Sequence, residues 1–189
     1  MADTHKYVIT EDNKTYSGLH LTSDPSYSEI LKGSKRRNVV VEDSFIGGGN
    51  EDCVDMVRGE NIKFQNLTVE AHEKTRVFFT LKGGIKGLTF NDVVLYGKSK
   101  WCWDISLGDW TNYDVDKRPK VRDIVLENVR FGDSNKRVKV LCLWSEKPTV
   151  IGGRVDIWKV PTFMVKILFW YKRKFGKGHV SVPLEDWEK

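Results

Sequence analysis

A short motif that recurs along the chain constrains its fold more than any other sequence feature. An Asn, Gly or Asp is followed by alternating apolar residues, then by a second Asn or Asp and another apolar run. The copies are residues 38–46, 61–69, 87–95 and 123–131, with a weaker copy at 149–156. The marker residues are Asp43, Asn66, Asp92, Asn128 and Gly153, spaced by 23, 26, 36 and 25 residues. Periods of this length indicate a solenoid.

Each period contains three short β-branched or apolar runs separated by turn residues, and almost no helical periodicity. The sequence therefore predicts an all-β fold, a right-handed single-stranded parallel β-helix of about five coils with three short strands per coil. Asn and Asp tolerate left-handed φ angles, so they are expected at the bends and could form side-chain ladders along the stack. A second series, Gly33, Gly59, Gly83 and Gly108, is expected to end the preceding strand of each coil.

Both ends of the solenoid need protection from solvent and from edge pairing. Residues 1–29 are predicted to form an N-terminal cap and entry strands, residues 30–157 the solenoid, and residues 158–189 a C-terminal segment. Pro161 can start a helix that runs to Phe175 and ends before Gly176. The first expectation is a lid on the last coil. The alternatives are contact with an anionic membrane surface, homo-oligomer formation through residues 160–175, or an extended strand exchanged between protomers.

The composition is that of a folded domain with a mild basic excess. The 189 residues carry a net charge of +5, and hydrophobic residues make up 40%. Clusters of mixed sign favour an interspersed surface over a basic stripe, so nucleic acid is not an expected partner. No signal peptide and no stretch of ~18 apolar residues is visible. The three cysteines lack metal-binding spacing, so no metal or cofactor is expected, and a cytoplasmic or virion-associated location is predicted.

Four acidic residues are the candidates for chemistry. Val54 and Met56 alternate with Asp55, so an ionised Asp55 should point away from the core. Asp104 repeats this position two coils later, which places the two backbones ~9.6 Å apart. That separation loosely fits the carboxylate pair of an inverting glycosidase. Glu51 and Asp52 lie at the strand entrance, where like charges could raise one pKa.

An insertion at residues 108–119 lengthens the fourth period. Its Asp109, Trp110 and Tyr113 are typical of a sugar-binding surface, in which aromatic rings stack on sugar faces and carboxylates bind hydroxyl groups. The same aromatic residues could instead fold back over a flank of the solenoid. Both interpretations stay open at this point.

The repeat resembles the pectin-lyase-like β-helix superfamily, which includes polygalacturonases, pectate lyases and phage tailspikes, over roughly residues 15–157. Asn50, Asp52 and Asp55 match the polygalacturonase pattern N-T-D-x-[IV]-D. Asp52 and Cys53 match D-D-C-[IV]-x-[IV], with Glu51 in place of its first Asp. The resemblance implies that these acids act as general acid and as activators of water. The family's G-H-G is replaced here by residues 74–80, its R-I-K clamp is at best echoed by Lys98 and Lys100, and the pectate lyase calcium site is absent.

Two hypotheses follow. The chain is an interaction module of the β-helix type, of viral or phage origin, with carbohydrate as its ligand. Alternatively, it is a polysaccharide-degrading enzyme, a glycoside hydrolase or lyase, with Glu51, Asp52, Asp55 and Asp104 along one face. Arg58 and Arg76 flank the acids and are expected to bind the ligand together with the residues of the insertion.

Overall fold

The structure, a computed structural model, describes residues 6–22, 29–106, 120–132 and 135–175. Almost all of its regular structure is β-strand, with one helix near the C-terminus. The elements are β1 (Tyr7–Ile9), β2 (Thr15–Ser17), β3 (His20–Thr22), β4 (Glu29–Gly47), β5 (Asp52–Glu70), β6 (Val77–Tyr96), β7 (Trp101–Ser106), β8 (Arg122–Glu127), β9 (Arg130–Phe131), β10 (Val138–Cys142), β11 (Thr149–Ile151), β12 (Val155–Lys159) and α1 (Thr162–Phe175).

All strand pairs are parallel, and each coil lies in register on the one before it. Val41 of β4 is opposite Phe64 of β5, which is opposite Phe90 of β6. The chain is therefore a parallel β-solenoid of about five turns, and the predicted all-β solenoid is confirmed. Residues 7–22, within the segment expected to form a cap, already pair with β4 through β1, β2 and β3.

The long strands β4, β5 and β6 each bend around the coil at residues with positive φ. In β4 these residues are Lys35, Asn38 and Asp43, which divide it into a first arm (29–34), a first corner (35–38), a second arm (39–42) and a third arm (44–47). We use the same names for the equivalent parts of the other coils. Three β-arms per coil is the arrangement that the sequence predicts.

The Asn and Asp bends form side-chain ladders, as predicted. At the bend before the third arm, Asn66 Nδ2 donates to Asp43 Oδ1 over 2.6 Å, and Asn128 Nδ2 donates to Asp92 Oδ1 over 3.2 Å. All four have φ between 48° and 53°. The last member of the series is Gly152, not Gly153. Ile151 is paired with Glu127, so Gly152 lies opposite Asn128.

A second ladder runs along the first corner, where Asn61 donates to Asn38 over 3.0 Å and Asn38 donates to Asn13 over 2.7 Å.

Replacing Asn66 is expected to separate the two contributions of a ladder residue. Asn66→Ala loses the hydrogen bond and places a Cβ-bearing residue at φ 49° without the local polar side chain. Asn66→Gly loses the same bond but accepts the left-handed backbone. The alanine variant should therefore be less stable than the glycine variant by about 1 kcal/mol in urea unfolding. Equal stabilities would mean that the bend does not select for left-handed φ.

The predicted series of glycines does not align in the structure. Gly33 lies opposite Met56, whereas Gly59 lies three positions later, opposite Arg36. Gly33 leaves room for Met56, since a Cβ there would lie 2.5 Å from Met56 Cε. Gly59 allows close approach of the preceding coil, because a Cβ there would lie 2.8 Å from the Arg36 carbonyl oxygen. The two glycines thus serve different packing contacts, and the first arm ends at the left-handed Lys35 and Arg58.

The core is a continuous column of apolar side chains inside the coils. At its centre the rings of Phe64, Phe79, Phe90 and Trp103 are fully buried and in contact with one another. The cysteines at 53, 102 and 142 are free and buried. Burial raises the pKa of the Cys102 thiol to about 11, which makes it a packing residue rather than a nucleophile.

Helix α1 follows Pro161, and the predicted C-terminal helix is confirmed. Of the α1 side chains that the structure describes, Val165 is buried, whereas Phe163, Met164, Ile167 and Trp170 are 45–65% exposed. The side chains of Leu168, Tyr171 and Phe175, which belong to the same predicted apolar pattern, lie outside the description. The lid on the last coil therefore stays a prediction.

Candidate functional site

The acidic residues occupy the first arms of successive coils. Asp55 lies in register between Lys32 and Thr80, and Thr80 is opposite Asp104. Asp55 and Asp104 thus hold the same position two coils apart, as the repeat predicts. Glu29, Asp52 and Val77 form a second row, three residues earlier along each arm.

Asp55 is held by two lysines instead of opening onto a groove. Its carboxylate lies 3.0 Å from Lys82 Nζ and 3.6 Å from Lys32 Nζ, and the residue is only 5% exposed. Val54 and Met56 on either side point into the core, so Asp55 lies on the opposite face, as expected, but under its partners. The carboxylate thus links three coils through ion pairs, and loss of its partners would leave a buried charge uncompensated. This arrangement favours a structural role for Asp55 over a catalytic one.

Asp52 is a carboxyl group whose pKa is strongly raised in the folded protein. Burial raises its pKa to about 6, and the negative charges of Asp55 and Glu51 act in the same direction. The neighbouring Thr80 hydroxyl and Lys82 ammonium lower the pKa but do not offset burial. Asp52 is therefore partly protonated near neutral pH, as a general acid must be.

The other predicted site residues have separate surroundings. Glu51 forms a surface ion pair of 3.8 Å with Arg76, and both side chains are more than half exposed. Asp104 is half-buried beside Thr80. Arg58 lies at the first corner of its coil and lines a cavity that does not include the four predicted acids. Asp109, Trp110 and Tyr113 lie outside the described residues, so the proposed sugar-stacking wall stays a prediction.

A cavity of about 710 Å³ lies along the first corners of the coils, and we call it the basic groove. Six of its ten described lining residues are cations and two are carboxylates. The lining residues are Asp12, Lys35, Arg36, Arg37, Arg58, Gly59, Glu60, Gly84, Lys86 and Arg122. The groove thus concentrates a strong positive potential on one side of the solenoid.

The fold builds this groove by repetition. Arg37, Glu60, Lys86 and Arg122 are opposite one another in consecutive coils, so they form one row along the solenoid axis at a spacing of ~4.8 Å. Left-handed residues at the same corner, among them Lys35, Arg58 and Gly84, turn the chain so that the row faces outward.

The cations of the groove differ in how firmly they are held. Arg36 donates from Nη1 to Thr10 O over 2.5 Å and from Nε to Ser34 O over 2.7 Å, and it lies 3.5 Å from Asp12. Lys35, Arg37, Lys86 and Arg122 are exposed. Arg37 donates its backbone N–H to Asp12 Oδ1 over 3.1 Å, which leaves its guanidinium at the surface of the groove. Neighbouring like charges repel each other, and an anionic ligand along the row would relieve that repulsion.

Two further cavities have a different character. One of about 470 Å³ follows the Asn/Asp bends near Asn66, Asp92 and Asn128, and one of about 320 Å³ lies near Asn50 and His72. Neither is lined by Asp52, Asp55 or Asp104. In the part of the chain that the structure describes, no three His, Cys, Asp or Glu side chains are grouped so as to hold a metal ion.

The basic groove is the feature that the sequence-based prediction of interspersed charge misses. A signal was present, because Arg37, Glu60, Lys86 and Arg122 are spaced by 23, 26 and 36 residues, the same intervals as the first four markers. Glu60 interrupts the row of cations and gives it the mixed sign that indicates an ordinary solvated surface.

No protein-family model, curated protein or solved structure matches the chain. The assignment of a parallel β-solenoid therefore rests on the observed strand pairing, and the finer resemblance to the pectin-lyase-like superfamily stays a prediction.

Proposed function

We propose that this chain is a non-catalytic interaction module that binds an acidic polysaccharide along the basic groove. The observation that carries the proposal is the row of Arg37, Lys86 and Arg122, which are exposed and aligned in register at one corner of the solenoid. A linear acidic polysaccharide presents carboxylate or sulfate groups at regular intervals. Arg and Lys donate charge-assisted hydrogen bonds to these groups, so cations held at fixed positions on a rigid backbone suit such a chain, even with Glu60 between Arg37 and Lys86 in the row.

The composition of the groove favours a sugar polyanion over nucleic acid. Proteins that bind single strands without sequence preference usually combine a cationic groove with aromatic side chains on which the bases stack. No aromatic residue is among the described lining of the basic groove. Recognition here would rest on charge and hydrogen bonds, which sulfate and carboxylate groups supply without stacking.

The wider setting belongs to the same proposal. Membership of the pectin-lyase-like superfamily is supported by the solenoid architecture and by the sequence motifs. A viral or phage origin and a location in the cytoplasm or the virion are proposed from the sequence alone. Carbohydrate as ligand is retained from the sequence, but its proposed site moves from the acidic first arms to the basic groove.

Calorimetric titration against a panel of polymers tests the proposed function. A sulfated polysaccharide and polygalacturonate should bind at near-physiological salt, where screening acts over ~8 Å. Uncharged dextran should not bind, and a single-stranded oligonucleotide should bind more weakly than the sulfated polysaccharide. Equal binding of dextran, or tighter binding of the oligonucleotide, would contradict the proposal.

One observation favours a second candidate, cleavage of a polysaccharide at Asp52. Its pKa of about 6 is suited to a general acid, and Asp55 lies beside it. Incubation with acidic polysaccharides should then release reducing ends or unsaturated products in the wild type and not in Asp52→Asn. Absence of products between acidic and neutral pH would exclude this candidate for the polymers tested and leave binding unaffected.

A further inference from the structure

Helix α1 presents an apolar stripe to solvent. Phe163, Ile167 and Trp170 are spaced by four and three residues, which places them on one side of the helix, and they are 65%, 58% and 58% exposed. Met164 beside them is 45% exposed. Isolated exposed apolar residues are ordinary, but a contiguous stripe with two large aromatic rings indicates a contact surface.

The exposed stripe lies opposite the buried side of the helix. Val165, which is fully buried, lies about 160–200° around the helix from Phe163 and Ile167 at ~100° per residue. The described side chains of α1 thus divide into one buried position and an exposed stripe on the other side.

The charge of the segment identifies the kind of partner. Residues 158–175 contain five cations and no acidic residue: Lys159, Lys166, Lys172, Arg173 and Lys174. An apolar stripe with large aromatic residues within a purely cationic segment is typical of helices that lie in the interface of an anionic bilayer. A second copy of the chain is disfavoured, because a symmetric contact would bring two sets of five positive charges together.

We propose that α1 docks on an anionic lipid surface, with Phe163, Ile167 and Trp170 inserted at headgroup depth and the positive charge of the segment attracted to lipid phosphates. Among the described residues no helix is long and apolar enough to span a bilayer. The strength of the docking depends on both the apolar stripe and the charge, and high salt should weaken it.

Co-sedimentation with lipid vesicles tests this docking. The whole protein should pellet with phosphatidylcholine vesicles that contain roughly a third phosphatidylglycerol, and far less with phosphatidylcholine alone. The double substitution Phe163→Ser and Trp170→Ser should reduce binding at least about tenfold, since it removes the two largest inserted rings. Both positions are exposed, so circular dichroism should show an unchanged fold.

The matched control separates docking by α1 from attraction to the basic groove. Lys86→Glu with Arg122→Glu should leave vesicle binding within about twofold, while the α1 double variant should keep its polysaccharide binding. Three results would overturn the proposal: equal pelleting with neutral vesicles, no pelleting with either kind, or a dimer in light scattering that the α1 double variant abolishes. Loss of vesicle binding in the groove variant would assign the contact to the groove and also overturn it.

Discussion

Replacing Phe79 by alanine is expected to lower the free energy of unfolding by about 3–5 kcal/mol, the usual cost of removing a large aromatic ring from a packed core. Phe79 is fully buried and stacks on Trp103 at 4.9 Å between ring centroids, with an angle of 10° between the planes. It also meets Phe90 edge to face at 4.9 Å and Phe64 at 5.8 Å. The substitution would leave a cavity among the rings of Phe64, Phe90 and Trp103.

Urea unfolding followed by far-UV circular dichroism measures this loss. Phe163→Ala is the matched control, because it deletes the same ring from a side chain that is 65% exposed, and its effect should stay within about 0.5 kcal/mol. A loss below about 1 kcal/mol for Phe79→Ala would mean that the aromatic cluster is not the centre of the core.

Asp52→Asn is expected to stabilise the protein by about 2–3 kcal/mol above pH 7. Burial raises the pKa of Asp52 from 3.8 to about 6, so the folded state binds a proton more tightly than the unfolded state. The wild type should therefore lose stability as the pH rises from about 4 through 6. Each unit of difference between the folded-state and unfolded-state pKa corresponds to about 1.36 kcal/mol. Asparagine carries no charge, so the variant avoids this loss.

The comparison is made by urea unfolding of both proteins from pH 4 to pH 8. Their difference should be near zero at pH 4 and should reach its full size above pH 7. Glu51→Gln is the control, since Glu51 is exposed in a surface pair with Arg76 and its replacement should have little effect at any pH. A difference that does not vary with pH would show that Asp52 does not titrate in this range.

The solenoid could be predicted from sequence because its determinants are local and repeated. Asp43, Asn66, Asp92 and Asn128 adopt left-handed φ angles that few other residues tolerate, and apolar alternation follows each of them. The alignment of Gly33 and Gly59 could not be predicted. Each glycine is required by a contact with the neighbouring coil, and the sequence of one strand does not reveal such contacts.

The candidate site was harder to predict because it depends on which side chains the register brings together. Lys32 lies directly opposite Asp55 and Lys82 reaches it from the next coil, so an apparent catalytic acid is buried in ion pairs. Arg37, Lys86 and Arg122 are far apart in sequence, and only their shared position at the first corner turns scattered charges into the basic groove. The side of α1 that is buried, marked by Val165, is likewise a tertiary property.

The most direct test of the basic groove is the affinity of a sulfated polysaccharide for the wild type and for Lys86→Glu with Arg122→Glu, measured by calorimetry at the same salt concentration. The double variant should bind at least about tenfold more weakly, because it removes two charge-assisted contacts and adds two repulsive charges. Lys98→Glu with Lys100→Glu makes the same change in net charge at two exposed residues outside the groove and should stay within about threefold of the wild type. Equal losses in the two double variants, or no loss in the first, would contradict a polysaccharide site in the basic groove.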